Sequence, residues 1–115
     1  MKKVLDANAL LTFLEDKPGA DKVQEALEAG CVMSALALSE MLARVKEQGV
    51  RPSKLLERLE AEGLLHQTLE IMPFTFEDVV TTGGLGGTAL GNAASVALSR
   101  QLGLKMVVVD KIAAT

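Results

Sequence analysis

Four short apolar runs, KVLD (3–6), CVMS (31–34), QTLEIMPF (67–74) and MVVV (106–109), are separated by longer stretches with helical spacing. That alternation is the strongest limit on what the chain can fold into. Parallel strands cannot be joined by a tight hairpin, and a helix is the usual crossover between them. The pattern therefore predicts an α/β fold: a central, mostly parallel four-stranded sheet flanked by helices. At 115 residues with 49% hydrophobic content, the chain has the length of one domain with a substantial core, here 1–115.

The helices read from their apolar stripes and their stops. NALLTFLED carries Leu10, Leu11, Phe13 and Leu14. Pro18 suits the first turn of a helix over ADKVQEALEAG, which Gly30 closes. Leu38, Met41, Leu42 and Val45 form one stripe from Ala35 to Gln48, and Arg51-Pro52-Ser53 opens a further helix that buries Leu55, Leu56, Leu59 and Leu64. FEDVV (76–80) fits a short helix. Residues 92–102 predict another, with Val96, Leu98 and Leu102 inward and Gly103 as its stop.

Composition bears mainly on partners and compartment. A net charge of −3 gives no overall attraction to nucleic acid, and the absence of Trp and Tyr argues against a base-stacking surface. The short Met1-Lys2-Lys3 start meets Asp6 at once, and no apolar run is long enough to span a bilayer, so a cytoplasmic protein without a membrane is expected. Cys31, the single cysteine, reads as a small buried hydrophobe, and His66 as a lone surface residue.

The segment TTGGLGGTALGN (81–92) holds five of the ten glycines. Its GLGGTA fits the dinucleotide fingerprint, with Asp110 about twenty residues on. That fingerprint needs the glycine turn directly after a strand and a second mononucleotide half beyond it, and neither is present. A loop leading into a helix is the better reading.

Acids gather where a parallel sheet binds its ligands, beyond the carboxyl ends of its strands. Asp6 ends the first run and Asp110 the last, Ser34 ends the second, and Asn92 opens the helix that leads to the fourth. As a helix opener Asn92 also suits an N-cap. Two carboxylates about 4 Å apart repel by about 4 kcal/mol at an effective dielectric near 20, so such a cluster calls for a cation. With oxygen donors and no Cys/His spacing, the suitable ion is hard: Mg²⁺ or Mn²⁺ before zinc.

VLDANALLTFLE, MSALALSEMLARVKEQG and TALGNAASVALSRQLGLKMVVVDK resemble the three motif regions of a PIN domain, above all the VapC-like toxins of bacterial toxin–antitoxin pairs. The likeness runs from Val4 to Lys111 in the family's order. It implies a PIN-like three-layer sandwich and a Mg²⁺- or Mn²⁺-dependent endoribonuclease, with RNA as substrate, a cognate antitoxin as partner and a homodimeric assembly. Position by position, Asp6, Glu40 and Asp110 match the metal-binding acids, while Asn8 and Ser34 match the accompanying small polar residues. Glu40 rests on the resemblance alone, since by helical projection it lies off the apolar stripe.

Two departures stand out. Asn92 occupies the place of an aspartate in the LG-D-A segment, which removes a negative charge and predicts weakened or absent cleavage. Only KIAAT follows Asp110, where the family continues to a final edge strand, so an exposed edge at 106–109 is expected. The alternative is a catalytically silent PIN-like domain that binds RNA or a protein. Arg44, Lys46, Arg51, Lys54 and Arg58 are reserve candidates for RNA contact.

Overall fold

A computed structural model describes residues 2–85 and 90–109, Gly84 and Leu85 by their backbone alone. In chain order the elements are β1 (Lys3–Val4), α1 (Ala7–Leu14), α2 (Ala20–Ala29), β2 (Cys31–Ser34), α3 (Ala35–Glu47), α4 (Pro52–Ala61), β3 (Leu69–Met72), α5 (Phe76–Leu85) and α6 (Leu90–Leu102). The sheet is parallel with order β1-β2-β3; Lys3 lies opposite Cys31, and Cys31 opposite Leu69.

The fourth expected strand is present as one parallel bridge, Val4 to Met106, on the open side of β1. Val4 N–H donates to the Lys105 carbonyl and Val107 N–H to the Val4 carbonyl, both at 2.9 Å. Beyond that bridge the backbone diverges, and the Val108 carbonyl accepts from Lys22 Nζ at 2.8 Å instead of a strand. The chain thus crosses from β3 at one edge of the sheet to the far side of β1. The reversal leaves a crevice at the carboxyl end of β1, the place where open parallel sheets bind ligands.

The pleat divides the core. Leu5, Cys31, Met33 and Leu69 pack with Leu10, Val23, Met41 and Leu59 from α1 to α4. On the opposite face Val4 and Val32 meet Leu98 of α6, with Met72, Leu104 and Met106 around them. A fully buried leucine such as Leu10 or Leu59 contributes about 1.5–3 kcal/mol over its exposed state. Cys31 is buried, as expected, and that burial pushes its thiol up against the opposing effect of Lys3.

Several boundaries differ from the sequence reading. Helix α2 starts at Ala20 with Gly19 as its N-cap, so Pro18 precedes its first turn. Helix α5 continues through Gly83 to Leu85 where a loop was expected. A reciprocal cap starts it: Asp78 N–H donates to Thr75 Oγ1 (3.3 Å), and Thr75 N–H to Asp78 Oδ2 (2.8 Å). Packing on α6, with Gln101 Nε2 donating to Asp78 Oδ1 at 2.6 Å, outweighs the poor helix propensity of glycine.

Helix α6 begins at Leu90, two residues before the expected start, so Asn92 is its third residue and not its N-cap. Its buried face is built from Gly91, Ala93, Ala94, Ser95, Ala97 and Leu98, whereas Leu102 is exposed. Small residues let α6 lie close to α3 and the sheet, and a stripe of large side chains would hold it away.

Candidate functional site

The crevice at the end of β1 is a cavity of about 430 Å³, lined by Asp6, Ala7, Asn8, Glu40, Arg44, Asn92 and the backbone run from Met106 to Val109. Each wall has a separate structural reason to be there.

Asp6 lies just past β1 in extended conformation and is the N-cap of α1, its Oδ1 accepting from Ala9 N–H at 2.7 Å. The cap satisfies one of the unpaired amides of the first turn and fixes the side-chain rotamer. Asp6 also lines the cavity. Asn8, in the first turn of α1, lines the same cavity, and its backbone carbonyl accepts from the Thr12 hydroxyl at 2.9 Å.

Glu40 projects from α3 toward the first turn of α6. A Cβ built on Gly91 would fall on Glu40 Oε2 and lie 2.7 Å from its Cδ. The missing side chain at Gly91 is therefore the seat of this carboxylate. The amino end of α6 also carries positive partial charge that favours an anion there. On its other side Glu40 Oε1 accepts from Arg44 Nη2 at 2.9 Å, an i,i+4 pair along α3. Asn92, exposed on the same turn of α6, brings an amide to the rim.

Of the residues singled out from the sequence, the fold brings Asp6, Asn8, Glu40 and Asn92 to one cavity. Ser34 is not part of its lining: it is buried and caps α3, its Oγ accepting from Leu36 N–H at 3.2 Å. Asp110 lies outside the described residues, one position past Val109, which lines the cavity. Among the described residues no group of three Asp, Glu, His or Cys gathers closely enough to hold a metal ion. An acid in place of Asn92 would bring a third carboxylate to this lining.

Sequence reasoning underrated two residues. Of the reserve basic residues, Arg44 alone lines the cavity, and its spacing of four from Glu40 was the available signal. Arg58 is committed elsewhere, donating to the Leu14 carbonyl at 3.1 Å and pairing with Glu62 at 3.7 Å. Gly91 was counted as loop, though the small-residue run GNAASVA after it signals a closely packed helix. His66 is exposed, as expected, with a positive φ of 61°. No helix among the described residues is long and apolar enough to cross a membrane.

Comparison with known proteins agrees with this topology. No curated protein matches the sequence. Among solved structures, a chain of a toxin–antitoxin complex from Klebsiella pneumoniae superposes with a TM-score of 0.62 at 17% identity, over 90% of this chain and 82% of that one. At that identity the likeness is one of fold. The model of the PIN domain family matches residues 3–111, from the first residue of β1 to just past Asp110, and the chain belongs to the PIN domain family.

Proposed function

We propose that residues 1–115 form one PIN-like domain acting as a divalent-metal-dependent endoribonuclease of the toxin type, weakened by Asn92, with a cognate antitoxin as partner and the cytoplasm as compartment. The observation that carries this reading is the convergence of Asp6, Glu40 and Asn92 on one cavity at the end of β1, in a chain of the PIN family. The likeness in fold to a chain of a toxin–antitoxin complex supports the partner.

The donor set fits a hard cation. The Asp6 and Glu40 carboxylates and the Asn92 amide oxygen are oxygen donors, and no thiol or imidazole lines the cavity among the described residues. Asp6, Glu40 and, by its match to the family's last acid, Asp110 would hold Mg²⁺ or Mn²⁺. When bound, such an ion supplies Lewis-acid polarisation of a phosphoryl oxygen and a water ionised near neutral pH. The cap to Ala9 holds the Asp6 carboxylate in place, and Glu40 is kept at the α6 wall by the Gly91 seat. Asn92 can accept a hydrogen bond from a water at the rim but cannot take its proton.

One observation favours a second reading, a silent PIN-like domain that binds RNA or protein. Arg44 neutralises Glu40, so the described lining carries one net negative charge, which holds a divalent ion weakly. Replacing Asn92→Asp separates the two. Recovered Mn²⁺-dependent cleavage of RNA, by about two orders of magnitude over the unaltered chain, supports the weakened nuclease. Continued inertness with an unchanged thermal melt supports the silent domain.

A further inference from the structure

The ion pair between Arg44 and Glu40 has a second use that rests on the nuclease reading above. Arg44 is the cation among the described residues lining the cavity, and its guanidinium lies 2.9 Å from Glu40 Oε1. The pair is partly open to solvent, with side-chain exposures of 44% for Arg44 and 27% for Glu40. A bridge this exposed is weak and exchangeable. A divalent ion claiming Glu40 meets Arg44 in possession of it. Once displaced, the guanidinium stays tethered to α3 at the cavity wall, beside the position where a polynucleotide phosphate must lie to be cut. Its planar fork suits phosphate oxygens as well as it suits a carboxylate.

We propose that Arg44 is an exchangeable counter-ion: it neutralises Glu40 in the metal-free protein and turns to a backbone phosphate of the RNA when a divalent ion takes Glu40. The cavity then never has to hold two unbalanced carboxylates. Metal loading and RNA binding become coupled through one side chain, which is engaged with Glu40 or with phosphate but not with both. Coupling of this kind is reciprocal: RNA that engages Arg44 frees Glu40 and raises the affinity for metal by the same factor.

The test uses the full chain, with Arg44→Met and Arg44→Gln, both good helix formers at a partly exposed position, checked by thermal melting. Mn²⁺ binding is read by electron paramagnetic resonance. Binding of a short 2′-O-methyl RNA, which cannot be cleaved, is read by fluorescence anisotropy with and without Mn²⁺ across a salt series. Both variants should bind Mn²⁺ about two- to fivefold more tightly than the unaltered chain. With Mn²⁺ present they should bind RNA more weakly, with a salt slope shallower by about 0.7, the loss of one phosphate contact. Without Mn²⁺ the RNA defect should be smaller by the same factor of about two to five, because Glu40 then competes for Arg44.

An RNA defect of equal size with and without Mn²⁺ would overturn the exchange, as would unchanged Mn²⁺ affinity or no RNA defect. Mn²⁺ binding by the variants but not by the unaltered chain would support it in its strongest form. Failure of all three proteins to bind Mn²⁺ removes the nuclease reading and this proposal together, whereas Mn²⁺ binding that ignores Arg44 removes the proposal alone.

Discussion

Gly91 controls the cavity by what it lacks. In the first turn of α6, alanine is preferred over glycine by up to about 1 kcal/mol, so Gly91→Ala is expected to leave the thermal melt unchanged or slightly raised. The added methyl, however, would occupy the space of the Glu40 carboxylate and push it off the cavity wall. We expect Mn²⁺ affinity to fall about tenfold while stability holds, as for loss of a group that orients a ligand. A titration in which Gly91→Ala binds Mn²⁺ like the unaltered chain would show that Glu40 does not depend on this seat. Asp6 was legible because an acid at the end of an apolar run sits at the mouth of a parallel sheet. Glu40 was not, since its surroundings come from α6, about fifty residues away in sequence, and a helical projection shows only its own helix.

Among the elements, α5 depends on one buried acid. Asp78 is 7% exposed, and burial by itself would raise its carboxyl. Hydrogen bonds from the Thr75 backbone, the Gln101 amide and the Thr75 hydroxyl more than offset this and hold it below the usual range. Its folded value is therefore lower than its unfolded value near 3.9, and its contribution is present above that pH and lost as pH falls through the folded value. Asp78→Ala should cost about 2 kcal/mol near neutral pH, by loss of the cap and of the link to α6. Denaturant melts of the two proteins should converge as pH drops below about 4; a gap that persists unchanged in acid would mean the carboxylate charge is not involved. Element by element, α3, α4 and β2 were legible because each carries its own period and its own stops. The end of α5 and the start of α6 were misjudged, because glycine and alanine carry no hydrophobic signal while α6 packs through them.

At the scale of the molecule, apolar side chains face solvent at several places among the described residues, and two of these places bear on assembly. One is the sheet margin at Val108, 66% exposed, and the other is the outer side of α5, where Phe76 is 81% exposed and Val79 and Val80 lie beside it. Surfaces of this kind bring chains together. Sedimentation at high concentration should show self-association of the unaltered chain. Val108→Lys lowers it when the margin is responsible, and Phe76→Glu when α5 is; a clean monomer before any substitution would set both aside and with them the expected homodimer. The order of strands was legible only in part. Alternation of periods gives the class, but the placement of Met106 beside Val4 depends on which edge the last crossover reaches, and no local pattern encodes that choice.

The same pairing of Val4 with Met106 bears on when during synthesis the protein acquires its properties. Asp6 and Glu40 leave the ribosome well before Met106 to Val109, which line the same cavity. Contacts that join the two ends of a sequence close only after nearly all of it has emerged. On the nuclease reading proposed above, a chain synthesised only as far as α6 lacks this wall of the cavity and should not cleave RNA. Chains stopped ahead of Lys105 should show no Mn²⁺-dependent cleavage even with Asn92→Asp in place, and cleavage by such a chain would mean that the first two motif regions suffice.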